Sequence, residues 1–158
     1  MLFKRGEGPR VLKFHLGSIT HHTVYEAELV GLLLALHLLR DKRDVDQAIV
    51  RLDNQAVLYT LKACESGPTQ SIIDKIITQI EYNANTVRSE AYQLDIAWVK
   101  GHAGNKGKER ADKEAKEAAA GCASRGHALT AFLTDASLPL SIAAHRQAFD
   151  KELKARWR

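Results

Sequence analysis

Trp98-Val99-Lys100-Gly101-His102-Ala103-Gly104-Asn105-Lys106-Gly107-Lys108-Glu109-Arg110-Ala111-Asp112 is the stretch on which the reading of this chain turns. Just before it, Tyr92, Leu94, Ile96 and Trp98 alternate with Gln93, Asp95 and Ala97, the period-two pattern of a half-buried strand. Gly101, Gly104 and Gly107 then predict a loop over 100–107. Strong helix formers follow over 108–120. Ala111, Ala115, Ala118, Ala119 and Cys122 form the expected buried stripe of that helix, and Asp112 borders it. A strand running through a loop into a helix puts the loop at the strand's carboxyl end, where α/β proteins gather ligand sites.

Working outward, 48–52 is a short apolar run ending at Asp53, suited to a buried strand, and 54–63 continues as a helix capped by Asp53 or Asn54. Glu65-Ser66-Gly67-Pro68 breaks the chain before a helix over 70–85, whose apolar stripe is Ile72, Ile73, Ile76, Ile77 and Ile80. Residues 24–40 form a strongly apolar helix. At the start, 1–4 and 11–16 read as two strands joined by the turn Gly6-Glu7-Gly8-Pro9. Strands that pair first and then alternate with helices predict an α/β domain over 1–122, a mixed sheet flanked by helices. A linker is expected over 123–140 and a basic amphipathic helix over 141–158.

Three carboxylates carry the candidate chemistry. On a helical wheel Glu26, His37 and Arg40 make the expected solvent face, and Glu28 lies about 160° away beside Gly31, Ala35 and Leu39. A carboxylate on a buried face is costly unless it pairs with a core Arg or Lys or reaches solvent at the helix end, and the functional reading is a metal ligand or acid–base group. Asp53, at a strand-to-helix junction, is either a cap or a ligand. Asp112 either complements the helix dipole or joins the same site. Together the three suggest a shared cation site of oxygen ligands, which suits Mg²⁺ or Mn²⁺.

The quoted stretch resembles the ribonuclease H signature, W-V-K-G-H-x-G followed by an N-E-x-A-D-like helix start. Ala27-Glu28-Leu29-Val30-Gly31 resembles that family's helical E-L motif, and Leu52-Asp53-Asn54-Gln55 its D-S-Q or D-N-Q turn. The phrase Thr23-Val24-Tyr25-Glu26-Ala27-Glu28-Leu29, with a basic tail behind the domain, looks more like retrotransposon reverse transcriptases, especially fungal ones, than like stand-alone bacterial enzymes. The resemblance implies hydrolysis of the RNA strand of RNA–DNA hybrids by two Mg²⁺ or Mn²⁺ ions. Glu28, Asp53 and Asp112 would be three of the four metal-binding carboxylates, with His102 assisting proton transfer or product departure. Asn54, Gln55, Lys100 and Asn105 would contact nucleic acid, the first two near the minor groove, where 2′-hydroxyls mark RNA. Other domains of a reverse transcriptase polyprotein are the implied protein partners. Two departures stand out. Val24 and Tyr25 replace an Asn pair found in bacterial members. The family's first Asp belongs to a strand ahead of the hairpin, and no Asp precedes Asp41, so a sheet lacking that central strand is expected.

Composition bounds the alternatives. The chain has 158 residues, 45% hydrophobic, with net charge +4, an ordinary globular balance leaning toward a polyanionic partner. The longest apolar run, 29–36, ends at His37, short of the ~20 residues a membrane span needs. Met1-Leu2-Phe3-Lys4-Arg5 turns polar too soon for a secretory signal. Cys64 and Cys122 are expected as buried reduced thiols of a cytoplasmic or nuclear protein. His21-His22 lacks further ligands at zinc spacing and reads as loop near the substrate groove. In the tail, Arg146, Lys151, Lys154, Arg156 and Arg158 flank a stripe of Ile142, Phe149, Leu153 and Trp157. That helix is expected to dock on the domain, with a phosphate contact or a polyprotein junction as alternatives. The rivals to hybrid hydrolysis are a hybrid-binding module with an incomplete site and a strand-transfer enzyme of the integrase kind. The Gly101-His102 loop and the Asp112 helix speak against the latter.

Overall fold

Helix α1 (Val24–Arg40) begins where Thr23 and Glu26 cap each other. The Glu26 carboxylate accepts from the Thr23 amide at 2.6 Å, and the Thr23 hydroxyl accepts from the Glu26 amide at 3.1 Å. This reciprocal box satisfies two amides on either side of the helix start. It also corrects the wheel: Glu26 is buried, Gly31 is exposed, and Glu28 is half-buried rather than set in the core. The wheel counts angles only, whereas the cap draws Glu26 back over the helix end. This computed structural model describes residues 1–40, 42, 45–63, 69–86, 92–100, 106–135 and 138–157.

Strands β1 (Gln47–Leu52) and β2 (Gln93–Trp98) pair in parallel, from Gln47↔Gln93 to Leu52↔Trp98. Bonds from the Gln93 amide to the Asp46 carbonyl and from the Val99 amide to the Leu52 carbonyl, both 2.8 Å, extend the ladder. The crossover between them holds helices α2 (Gln55–Ala63) and α3 (Gln70–Thr86). Asn54, not Asp53, caps α2, its side-chain oxygen accepting from the Ala56 amide at 3.0 Å. The isoleucine stripe of α3 packs on α1, with Ile72, Ile73 and Ile76 buried against Leu29, Leu32, Leu33 and Leu36. Asn83, fully buried between the two helices, donates to the Leu36 carbonyl at 3.0 Å and accepts from Gln79 at 3.1 Å. Both sides of that amide are thereby satisfied, as a buried polar group requires.

The class is the expected α/β one, with helices flanking a sheet, but the antiparallel part is slight. The expected hairpin comes down to a single bridge, Leu2↔Arg10, whose second residue stands just ahead of the expected strand 11–16. A short two-stranded hairpin without a neighbouring strand is marginal on its own. The second arm instead runs along helix α4 (Lys106–Ala119). Lys13 pairs with Glu114 and Glu117 at 3.1 and 2.8 Å, and His15 Nδ1 bonds with the Ala118 carbonyl at 2.9 Å. Among the described residues the sheet has two strands, so no third strand lies along β1.

Helix α4 ends at Gly121, whose φ of +101° suits a residue without a Cβ. The Cys122 amide reaches back to the Glu117 carbonyl at 2.9 Å and the Gly121 amide to that of Ala118 at 3.0 Å, a Schellman stop. The turn carries Cys122 to the surface, contrary to expectation, and the predicted alanine stripe shrinks to Ala118 as its one buried member. Cys64 lies outside the described residues. Within 123–140, helix α5 (Ala131–Thr134) sets Leu133 into the core, with Leu129, Phe132 and Leu138 packed around it. Helix α6 (Ile142–Arg156) is capped by Ser141 and anchored by the Ser141 amide on the His21 carbonyl at 2.8 Å, with Ala144 fully buried. Only that first turn docks: Phe149, Leu153 and Trp157 remain exposed, so the expected packing of the whole helix is not found. No described helix is long and apolar enough to cross a membrane.

Candidate metal and nucleic-acid site

Because β1 and β2 run parallel and in register, their carboxyl ends lie side by side. Asp53 follows the last residue of β1, and the Trp98 indole N–H donates to the Asp53 carbonyl at 3.1 Å. Helix α4 returns to this edge with Lys108 and Asp112 one turn apart. The Lys108 ammonium lies 2.6 Å from Asp53 Oδ2 and 3.5 Å from Asp112 Oδ1. Glu28, from the second turn of α1, lines an open depression of about 540 Å³ together with Asp53, Asn54, Gln55, Ala56 and Trp98.

The charges interact across this edge. Burial pushes the Glu28 carboxyl up, the Asp53 charge adds to that, Lys108 opposes it and Asp112 contributes in the same sense as Asp53. The ammonium of Lys108 is held above its ordinary range, first by its hydrogen bond to Asp53. A folded-state pKa above the unfolded one means that Glu28 favours the fold below the ordinary carboxylate range, and that this advantage is lost as pH rises through the raised value. At neutral pH the Glu28 charge therefore costs stability. Glu28→Gln should raise the melting temperature at pH 7 in chelator by up to a few degrees. The gap between variant and parent should close as pH falls below ~4. A variant less stable than the parent at pH 7 would show that Glu28 is anchored by a contact instead.

The donor set is all oxygen, as hard divalent cations prefer. Asp53 and Asp112 already share one cation, the Lys108 ammonium, so the pair is arranged to hold positive charge. Among the described residues no three His, Cys, Asp or Glu side chains stand together at metal-holding distance. Asp53 and Asp112 thus offer oxygens to one cation, but among the described residues the three carboxylates do not gather as the sequence suggested: Glu28 is within electrostatic reach of both and not beside them.

Asn54 and Gln55 lie at the depression as the start of α2, and Lys100 is exposed two residues past β2. His102 and Asn105 lie outside the described residues. Two contributors escaped the sequence. Trp98, expected on a buried face, is 44% exposed and turns its N–H to the strand end. Lys108 stands where the N-E-x-A-D-like helix start has its Asn, four residues before Asp112. That i, i+4 spacing places the two on one helical face and was the available signal.

No curated protein and no solved structure matches the chain significantly. A family model described as RNase H matches residues 8–120, from just ahead of the second arm of the expected hairpin through α1, both strands and the whole of α4. That match covers most of the chain and every carboxylate of the site. The chain belongs to the RNase H family.

Proposed function

We propose that this chain hydrolyses the RNA strand of RNA–DNA hybrids, with Glu28, Asp53 and Asp112 holding one or two Mg²⁺ or Mn²⁺ ions. The observation that carries the reading is the meeting of Asp53 and Asp112 on one cation, at paired strand ends, with the Glu28 charge coupled to both. Bound divalent ions would supply an activated water and neutralise the departing oxygen. The protein's own part is to fix the carboxylates, Glu28 on α1, Asp112 on α4 and Asp53 in the bend directly after β1. Asn54 and Gln55, on the rim of the same depression, would meet the hybrid's minor groove, where an amide can pair with a 2′-hydroxyl. His102 would serve proton transfer or product departure, and Lys100 and Asn105 would touch the backbone. The setting we favour is a retroelement reverse transcriptase, on the strength of the 23–29 phrase and the basic tail. A strand set along the edge of β1 that faces away from β2 would bring an Asp near Asp53, which is what the resemblance asks for as a fourth carboxylate.

The test is cleavage of a hybrid labelled on its RNA strand, with single-stranded RNA, duplex RNA and duplex DNA as controls. Hydrolysis confined to the hybrid, dependent on Mg²⁺ and stopped by chelator, is the expected result. One observation favours a second reading, a module that grips hybrid without cutting it: Asp53 and Asp112 are engaged with Lys108, and among the described residues they are not gathered with Glu28 as a triad. Tight hybrid binding with no cleavage at any Mg²⁺ or Mn²⁺ concentration would select that reading.

A further inference from the structure

We infer that Lys108 is a tethered counter-ion of the carboxylate site, which competes with a divalent metal for Asp53 and Asp112 and so sets the metal concentration at which the site fills. This rests on the reading of Glu28, Asp53 and Asp112 as a cation site. The side chain of Lys108 is 17% exposed, against 38% for Asp53 and 49% for Asp112. The Lys108 side chain is thus the most covered of the three, and its ammonium stands within reach of both acids. Its two partners come from different elements, one from the end of β1 and one from its own helix, so it also ties α4 to the sheet.

The competition follows from geometry and charge. An ammonium has three N–H donors and brings one positive charge. Here it approaches Asp53 Oδ2 at 2.6 Å and Asp112 Oδ1 at 3.5 Å. A metal ion of the Mg²⁺ class needs carboxylate oxygens at ~2.0–2.1 Å and prefers near-octahedral order around it. An ion drawing on those two oxygens would stand beside the ammonium, and two like charges at that separation repel, strongly so where water is partly excluded. Metal entry therefore requires Lys108 to swing away. Its long, flexible stem allows that, at the loss of a pair worth little where both carboxylates are partly solvated. When metal is scarce, the same ammonium offsets carboxylates that would otherwise repel one another. One residue thus lowers metal affinity and steadies the site without metal.

The experiment is Mn²⁺ binding to the full chain, by calorimetry or by the loss of free-ion paramagnetic signal, together with melting curves in chelator and in Mn²⁺. Lys108→Gln keeps a stem and a hydrogen-bond donor but removes the charge. It should bind Mn²⁺ at least about tenfold more tightly, melt lower than the parent in chelator, and gain more from added Mn²⁺. Lys108→Arg keeps the charge and should stay within a few-fold of the parent, which guards against a fold defect in the first variant. Asp53→Asn should lose the binding that both lysine variants show. Equal Mn²⁺ affinity in the parent and in Lys108→Gln, with that binding still lost in Asp53→Asn, would overturn the role of Lys108 and leave the metal reading intact. Tighter binding in Lys108→Arg as well would overturn competition by charge. No Mn²⁺ binding by any of these proteins would remove both the inference and the cation site beneath it.

Discussion

Asp53→Asn should lower Mg²⁺-dependent cleavage of the hybrid by roughly 10²-fold or more, the scale seen when one preorganised electrostatic group is removed from an active site. Asparagine keeps the side chain's shape and still accepts from Lys108, so the strand-end geometry around Trp98 survives. What it loses is the negative charge that an ion requires. Asp112→Asn should follow it in direction. Hybrid affinity should stay within a few-fold, because backbone contacts from basic side chains dominate nucleic-acid binding and the acids repel the substrate. The melting temperature should barely move, since the Lys108–Asp53 pair is partly solvated and such pairs contribute little. Cleavage by Asp53→Asn near the parent rate, in protein shown to be free of parent contamination, would remove Asp53 from the metal site.

Ile76→Ala should produce the largest loss of stability. Ile76 has no exposed surface and sits where α3 meets α1. Truncating a buried isoleucine costs about 2–5 kcal/mol through lost transfer free energy and the cavity left behind. For a chain of this size that lowers the melting temperature by roughly 5–15 °C. Phe149→Ala is the matched control: a larger side chain, but 61% exposed on α6, whose removal should shift melting by no more than about 1 °C. Comparable losses from the two would mean that the outer part of α6 packs on the domain after all.

How much was legible follows from which interactions are local. The helix over 70–85 and the strand ending at Trp98 declared themselves by period, because burial on one face writes itself into the order of residues, whereas the apolar run ending at Leu52, expected as a buried strand, is exposed on one face with Ile49 at 51%. Asp53 was legible as a candidate because it stands at an element boundary, and Asp112 because it borders the alanine stripe of its helix. The failures share a different cause. Glu26 is buried by a cap with Thr23, a directional bond that no hydrophobic wheel contains. Cys122 is turned outward by the Gly121 stop. The hairpin dissolves into one bridge because its second arm finds Glu114, Glu117 and Ala118, more than a hundred residues ahead. Lys108 depends on a pairing 55 residues apart, which only the parallel register of β1 and β2 creates.

The two tryptophans stand in contrasting surroundings. Trp98 lines the depression with its indole N–H fixed on the Asp53 carbonyl, whereas Trp157, 84% exposed, ends α6 in open solvent. Indole emission responds to the polarity and hydrogen bonding of its neighbourhood, so the protein carries an optical gauge built into its own site. A water-borne quencher reaches Trp157 freely and silences that signal first. The light that remains comes from the end of β2, where a rearrangement of Asp53 becomes visible without any label.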